Sequence, residues 1–175
     1  INFYFLNPLK LALKDFDFND ITYAKLGKSA DTPLDTRIVI INIGHADREE
    51  LAMIIAKTAE MKAKAIGLDV TFEGGASEDE RKDSMLRAVI SQQKNMIVAT
   101  RLEWDDPNDI EKSGYFGEVS LKKGYTNLVG ESKDERNTVR YYSVYEKEKK
   151  VRYESFGAAL VKEFDDKAYK TLEER

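Results

Sequence analysis

Residues 35–72 read DTRIVIINIGHADREELAMIIAKTAEMKAKAIGLDVTF, and their hydrophobic pattern predicts the fold. Five residues within 38–43 are isoleucine or valine, which favours a strand buried on both faces. Residues 51–62 place apolar side chains at helical spacing, and residues 65–72 return to strand character. This order predicts a strand–helix–strand unit with two parallel, neighbouring strands joined by a right-handed crossover.

Two helix starts are predicted by capping-box spacing. Asp47 lies three residues before Glu50, so each side chain can accept a hydrogen bond from the other residue's backbone N–H. Ser77 and Glu80 repeat this spacing and predict a second helix that ends near Gln93.

The remaining elements follow from shorter patterns. Residues 96–99 predict a third parallel strand, and residues 115–121 and 125–129 have strand character between glycines. Residues 138–145 and 151–153 flank a charged run, which predicts an antiparallel hairpin. Ser155 is predicted to cap a last helix whose apolar face carries Phe156, Leu160 and Phe164.

Before the central unit, residues 1–14 predict a short amphipathic helix and residues 15–21 an edge strand. The predicted fold class is α/β: a three-layer sandwich with a mostly parallel central sheet, an antiparallel hairpin extension and a short N-terminal helix. We expect two parts, residues 1–20 with a membrane-proximal helix and edge strand, and residues 21–175 as a single α/β domain. The N-terminal helix could equally be a terminal helix packed on the core.

Composition excludes several classes of function. The 175-residue chain has a net charge of −4, which argues against binding nucleic acid or an anionic membrane. It has no cysteine and one histidine, so disulfides, thiol catalysis and cysteine- or histidine-rich metal sites are excluded. No cofactor is predicted, because the glycines near residue 74 lack the spacing of nucleotide-binding loops. The chain begins at isoleucine, and we expect it to be a fragment of a longer protein.

Polar residues at the ends of the predicted parallel strands are the candidate ligand-binding site. Asp69 comes at the carboxyl end of the second strand, where open α/β sheets bind ligands. It could bind a cation, a hydroxyl or an amine, or it could cap a loop or pair with a basic residue. Asn42 and His45 end the first strand on the same side, and Asp83 could turn toward them. No spacing suggests a nucleophile with its base, so no catalytic residue is predicted.

Four segments together resemble the CHASE type-two family, the extracellular sensory domain of bacterial cyclases, histidine kinases and related receptors. The segments are residues 35–43, residues 63–72 with their Gly-x-Asp-x-x-Phe ending, residues 83–99, and residues 124–160. The resemblance implies a periplasmic or extracellular sensor without catalytic residues. It also implies membrane helices outside this chain, an unknown small-molecule signal and a homodimer formed through the full-length receptor.

Two alternatives remain open. The chain could be a structural or dimerisation module that uses its tyrosine-rich hairpin and needs no ligand. It could also be an α/β hydrolase, although the residues offer no recognisable catalytic set.

Overall fold

The structure is a computed structural model that describes residues 35–72, 75–105, 110–120, 122–128, 139 and 141–174. The chain divides into two units. One comprises Ile1–Asn42 and Gly130–Val139, and the other comprises Ile43–Val129 and Arg140–Arg175. The helix predicted over 1–14 and the edge strand predicted over 15–21 lie outside the described residues. The predicted division at residue 20 stays a prediction.

In the first unit, the described residues 35–42 have no helix or strand. Ile38, Val39 and Ile40 are 70%, 80% and 90% exposed, so the prediction of a buried strand is wrong for this part of the structure. A strand needs a hydrogen-bonded neighbour, and none of the described strands pairs with these residues. Branched side chains show that a segment suits a sheet, but they do not supply its partner.

The described part of the second unit contains both helices and strands, as an α/β class requires. The helices are α1 (Arg48–Glu60), α2 (Glu80–Gln92), α3 (Phe156–Phe164) and α4 (Asp166–Glu173). The strands are β1 (Ile66–Leu68), β2 (Met96–Leu102), β3 (Glu111–Lys112), β4 (Lys123–Tyr125), β5 (Tyr145–Glu148) and β6 (Val151–Glu154).

Strand β2 is the centre of a mixed sheet. It runs parallel to β1 and β4, with Met96 opposite Ile66 and Val98 opposite Lys123, and antiparallel to β3. The parallel pairing of β1 with β2 confirms the parallel strand predicted at residues 96–99. The strand–helix–strand unit predicted over residues 35–72 lacks its first strand, because residues 38–42 form none. β5 and β6 form an antiparallel hairpin, as predicted, but its first strand is Tyr145–Glu148 rather than residues 138–145, so most of the charged run is strand and not turn.

Residues 115–119 form turns, so the strand predicted over residues 115–121 is wrong in its described part. The backbone N–H of Gly117 donates to the carbonyl of Gly114 at 3.1 Å, and that of Val119 donates to the carbonyl of Phe116 at 3.1 Å. Phe116 is nevertheless fully buried. The apolar pattern of this segment therefore reflects burial of a turn, since both strands and turns can contribute core side chains.

The main core lies between the sheet and the helices α1 and α2. Its buried members are Leu51, Ala52, Ile55, Ile66, Leu68, Phe72, Leu86, Ile90, Met96, Val98 and Phe116. Helix α3 contacts β1 and β4 through glycines: a Cβ atom at Gly67 would lie 2.9 Å from the Phe156 ring, and one at Gly124 would lie 2.6 Å from the Phe156 Cα. Gly124 needs a residue without a side chain because the helix backbone itself lies against it, whereas the atoms nearest Gly67 are the ends of side chains.

Beyond the end of β4, a side chain continues the pairing with β2. The amide of Asn127 accepts a hydrogen bond from the Leu102 backbone N–H at 2.7 Å and donates one to the Leu102 carbonyl at 3.0 Å. One side-chain amide thus satisfies both backbone groups of a strand residue.

Candidate functional site

An open cleft of about 550 Å³ lies where the N-termini of α1 and α2 meet the residues that follow β1. We call it the α1–α2 cleft. Its apolar lining consists of Ile43, Ala46, Leu51, Val70 and Phe72. Its charged lining consists of Asp47, Arg48, Glu78, Asp79 and Lys82.

Asp47 caps α1 and contributes to one side of the cleft. Its Oδ1 accepts hydrogen bonds from the backbone N–H groups of Glu49 and Glu50 at 2.9 Å, and the Glu50 side chain accepts from the Asp47 N–H. The predicted capping box is therefore confirmed. The Lys82 ammonium bonds to the other oxygen at 2.5 Å and is the main reason that the pKa of Asp47 lies below its usual value.

Helix α2 begins two residues later than its predicted cap. Asp79 is the N-cap and accepts a hydrogen bond from the Arg81 N–H at 3.0 Å. The Ser77 hydroxyl instead donates to the Asp79 carbonyl at 2.8 Å and accepts from the Asp79 N–H at 3.0 Å. The prediction of Ser77 as the cap is wrong because its hydroxyl stabilises the turn that leads into the helix.

Asp83 joins three parts of the chain behind the charged lining. It is 4% exposed and accepts hydrogen bonds from the Arg48 guanidinium and, at 2.8 Å, from the Ser77 backbone N–H. Arg48 also donates to the Gly75 carbonyl at 2.5 Å. A single carboxylate thus connects the first turn of α1, the 75–79 segment and the first turn of α2.

Two opposing influences set the pKa of Asp83. Burial is the larger single influence and raises the pKa, because a charged carboxylate loses hydration. The hydrogen bonds from Arg48 and the Ser77 N–H together outweigh it, so the pKa lies below the usual value. A carboxyl group with a lowered native pKa stabilises the fold above its unfolded pKa, and this contribution is lost as the pH falls through the native value.

We therefore expect Asp83→Asn to destabilise the protein most at pH 7, because the variant cannot carry the charge that pairs with Arg48. The difference from wild type should shrink on acidification, since the wild-type carboxylate becomes protonated. Urea unfolding of both proteins at pH 7, pH 5 and the lowest pH at which they fold measures this. Glu78→Gln is the control, because Glu78 is exposed. Equal separation of the two curves at every pH would contradict the assignment.

Three of the four residues predicted for ligand binding, His45, Asp69 and Asp83, belong to the second unit. Among the described residues, no hydrogen bond or ion pair links His45, Asp69 and Asp83 to one another. His45 is exposed beside the turn at Gly44, and Asp69 is exposed between Leu68 of β1 and Val70 of the cleft lining. Asn42 belongs to the other unit and is described apart from the cleft.

Sequence reasoning did not find Arg48 as the partner of Asp83. The two residues are 35 positions apart, and nothing in the local spacing links them. The position of Arg48 in the first turn of α1 was an indirect signal of such a partner. A cation near a helix N-terminus is disfavoured by the helix dipole, so a carboxylate partner elsewhere in the fold is expected to offset this cost.

Within the described ranges, the structure contains no helix with the length and apolarity that a membrane span requires. The same ranges hold no group of three or more His, Cys, Asp or Glu side chains arranged to bind a metal ion.

Comparison with known proteins gives one match. The sequence model of the CHASE2 domain family matches residues 9–174 of this chain. This match confirms the resemblance seen in the sequence. No curated protein and no solved structure showed significant similarity. Because the match covers most of the chain, this chain belongs to the CHASE2 domain family, a family of extracytoplasmic sensory domains.

Proposed function

We propose that this chain is the extracytoplasmic input domain of a bacterial transmembrane receptor and that it binds a small signal molecule in the α1–α2 cleft. The sensory family supports the first part. The cleft supports the second part, because an open cavity of about 550 Å³ lined by both apolar and charged side chains has the size of small-molecule sites.

The position of the cleft also favours ligand binding. Val70 and Phe72 follow the carboxyl end of β1, which is parallel to β2, and open α/β sheets bind ligands at this end of their strands. His45 and Asp69 adjoin the lining residues Ala46 and Val70 in sequence, and we retain them as candidate outer contacts. Asn42 stays a sequence-based candidate.

The network around Asp83 suggests how binding is transmitted. A ligand between the first turns of α1 and α2 would favour one arrangement of Arg48, Asp83 and the 75–79 segment over another. Such a preference shifts the population of two packed states without any chemical step. In this proposal the domain is not an enzyme, consistent with a sensory family.

The remaining features belong to the full receptor. We propose membrane helices outside this chain, placement in the periplasm or outside the cell, and a homodimer formed through the whole receptor.

We also propose that the complete domain is a three-layer sandwich. The contacts of α1 and α2 with one set of sheet residues, and of α3 with Gly67 and Gly124, support that arrangement.

Titration of the ¹⁵N-labelled chain with small metabolites tests the cleft. We expect a binding compound to shift the NMR signals of the Ala46, Ser77 and Lys82 amides, because these residues line the cleft. Val70→Trp should abolish the shifts by filling the cavity, whereas Val151→Trp on the exposed hairpin should leave them unchanged. Shifts that persist in Val70→Trp would place the ligand elsewhere.

The same titration distinguishes ligand binding in the cleft from the alternative that the chain is a dimerisation module. That alternative draws on the hairpin region, where Tyr141, Tyr142 and Tyr145 are 73%, 59% and 39% exposed. A dimerisation module without a ligand predicts no shift at the cleft with any metabolite. The hydrolase alternative is weakened, because the family is sensory rather than catalytic.

A further inference from the structure

We propose that the α1–α2 cleft selects an organic cation: a small molecule with a protonated amine attached to an apolar body. This inference rests on the proposed function, since it assumes that the cleft is the ligand site. It follows from the way in which the charges around the cleft are already paired.

The two cationic side chains of the lining are occupied. The Arg48 guanidinium pairs with Asp83, donates to the Gly75 carbonyl, and lies 5.4 Å and 5.2 Å from the ring centres of Tyr115 and Phe116. The Lys82 ammonium bonds to Asp47. An anionic ligand would have to compete with these intramolecular carboxylates for either cation.

The N-termini of α1 and α2 also disfavour the binding of an anion. Helix N-termini often bind anions through their free backbone N–H groups and their positive dipole. Here Asp47 and Asp79 already accept hydrogen bonds from those groups, and Glu49 and Glu80 add negative charge to the first turns. A phosphate or carboxylate would therefore meet like charges.

Carboxylate groups of the cleft lining, in contrast, remain available to bind a cation. Glu78 lines the cleft, is exposed, and forms no ion pair or hydrogen bond within the described part of the chain. Among the described side chains, Arg81 is the cation nearest to the second oxygen of Asp79, at 3.8 Å, and it bonds more closely to Glu49 at 2.8 Å. A ligand amine can pair with Glu78 without displacing an existing partner.

The apolar lining defines the rest of the ligand. Leu51 and Phe72 are 3% and 9% exposed, and the Phe72 ring packs edge-on against Phe116 with 4.7 Å between ring centres. The core fixes both side chains, and the half-buried lining residues Ile43 and Val70 offer apolar surface to the body of a ligand. Since an exposed ion pair contributes little by itself, a bare amine should bind weakly and the apolar body should supply most of the affinity.

Three probes with the same aromatic body test the charge preference: 2-phenylethylamine, 2-phenylethanol and 3-phenylpropionate. Each is titrated into the ¹⁵N-labelled chain, and the shifts of the cleft amides give the dissociation constant. We expect the amine to bind about threefold more tightly than the alcohol, the gain typical of one exposed ion pair, and the carboxylate to bind most weakly. Glu78→Gln should bring the amine to the affinity of the alcohol, while Glu174→Gln, at the end of α4, should change nothing.

Two results would overturn the inference. If the carboxylate binds more tightly than the amine, the cleft is an anion site, and the proposed sensor function survives with a different ligand class. If none of the three probes shifts the cleft amides, an aromatic amine is not the ligand class, and the inference fails. The metabolite titration then decides separately whether the cleft binds any small molecule.

Discussion

Phe116→Ala should lower the free energy of unfolding by about 3–5 kcal/mol, the usual range for truncating a fully buried phenylalanine. The Phe116 side chain has no exposed surface, and its ring meets those of Phe72 and Tyr115 edge-on with centres 4.7 Å and 4.9 Å away. Removing it leaves a cavity beneath Arg48 and beside the cleft residue Phe72. Urea unfolding followed by circular dichroism measures the loss.

Tyr141→Ala is the matched control, because it also removes an aromatic ring but from a side chain that is 73% exposed. Surface substitutions of this kind usually change stability by less than about 0.5 kcal/mol. If both variants lose the same stability, the turn that carries Phe116 is not part of the core. Phe116→Ala should also weaken the ligand binding that we propose for the cleft, since Phe72 loses the ring that packs against it.

Gly124→Ala should destabilise the protein by about 1–3 kcal/mol or more, as overpacking of a tight contact does. The added Cβ would lie 2.6 Å from the Cα of Phe156 and 3.0 Å from its backbone nitrogen. Backbone atoms cannot rotate away as a flexible side chain can, so α3 itself must move off β4. Thermal and urea unfolding of the variant give the size of the effect.

Gly157→Ala supplies the control within the same contact region. Its Cβ would lie 2.9 Å from the hydroxyl of Tyr142, which is the movable end of a side chain. Gly157 is exposed in α3, and alanine favours helix over glycine by up to about 1 kcal/mol. This variant should therefore be neutral or more stable than wild type. Equal losses in the two variants would show that glycine flexibility, rather than close packing, matters at Gly124.

Local signals in the sequence predicted local structure well. The capping box at Asp47 and Glu50 depends on residues three positions apart, so its spacing alone defines it. The β5–β6 hairpin is likewise a local element. Ser77 shows the limit: its spacing to Glu80 fits a cap, but Asp79 is nearer the helix and takes that role.

Tertiary partners could not be predicted in the same way. The isoleucine-rich segment 38–43 has the composition of a buried strand, yet a strand forms only where another strand pairs with it. The parallel pairing instead joins β1 to β2 across α2. Composition identified an α/β chain, and the pairing of the strands decided where its βαβ unit lies.

The structure gives the two candidate aspartates different surroundings, and their role in ligand binding stays a prediction. Asp69 was favoured for its position after a strand, and it is exposed beside the cleft lining. Asp83 received less weight because a lone aspartate on a helix is usually solvated. Its importance comes from Arg48 and the Ser77 backbone, whose proximity is a product of the tertiary fold.

The side-chain amide of Asn127 has a consequence for self-association. Unpaired main-chain groups at the border of a sheet can recruit a strand from another molecule, which is a common route to aggregation. At Leu102 both groups are already occupied by this one amide. An aspartate at position 127 could accept the hydrogen bond from the Leu102 N–H but could not donate one to the Leu102 carbonyl. Replacing one nitrogen by oxygen would therefore leave this carbonyl available to a strand of another molecule.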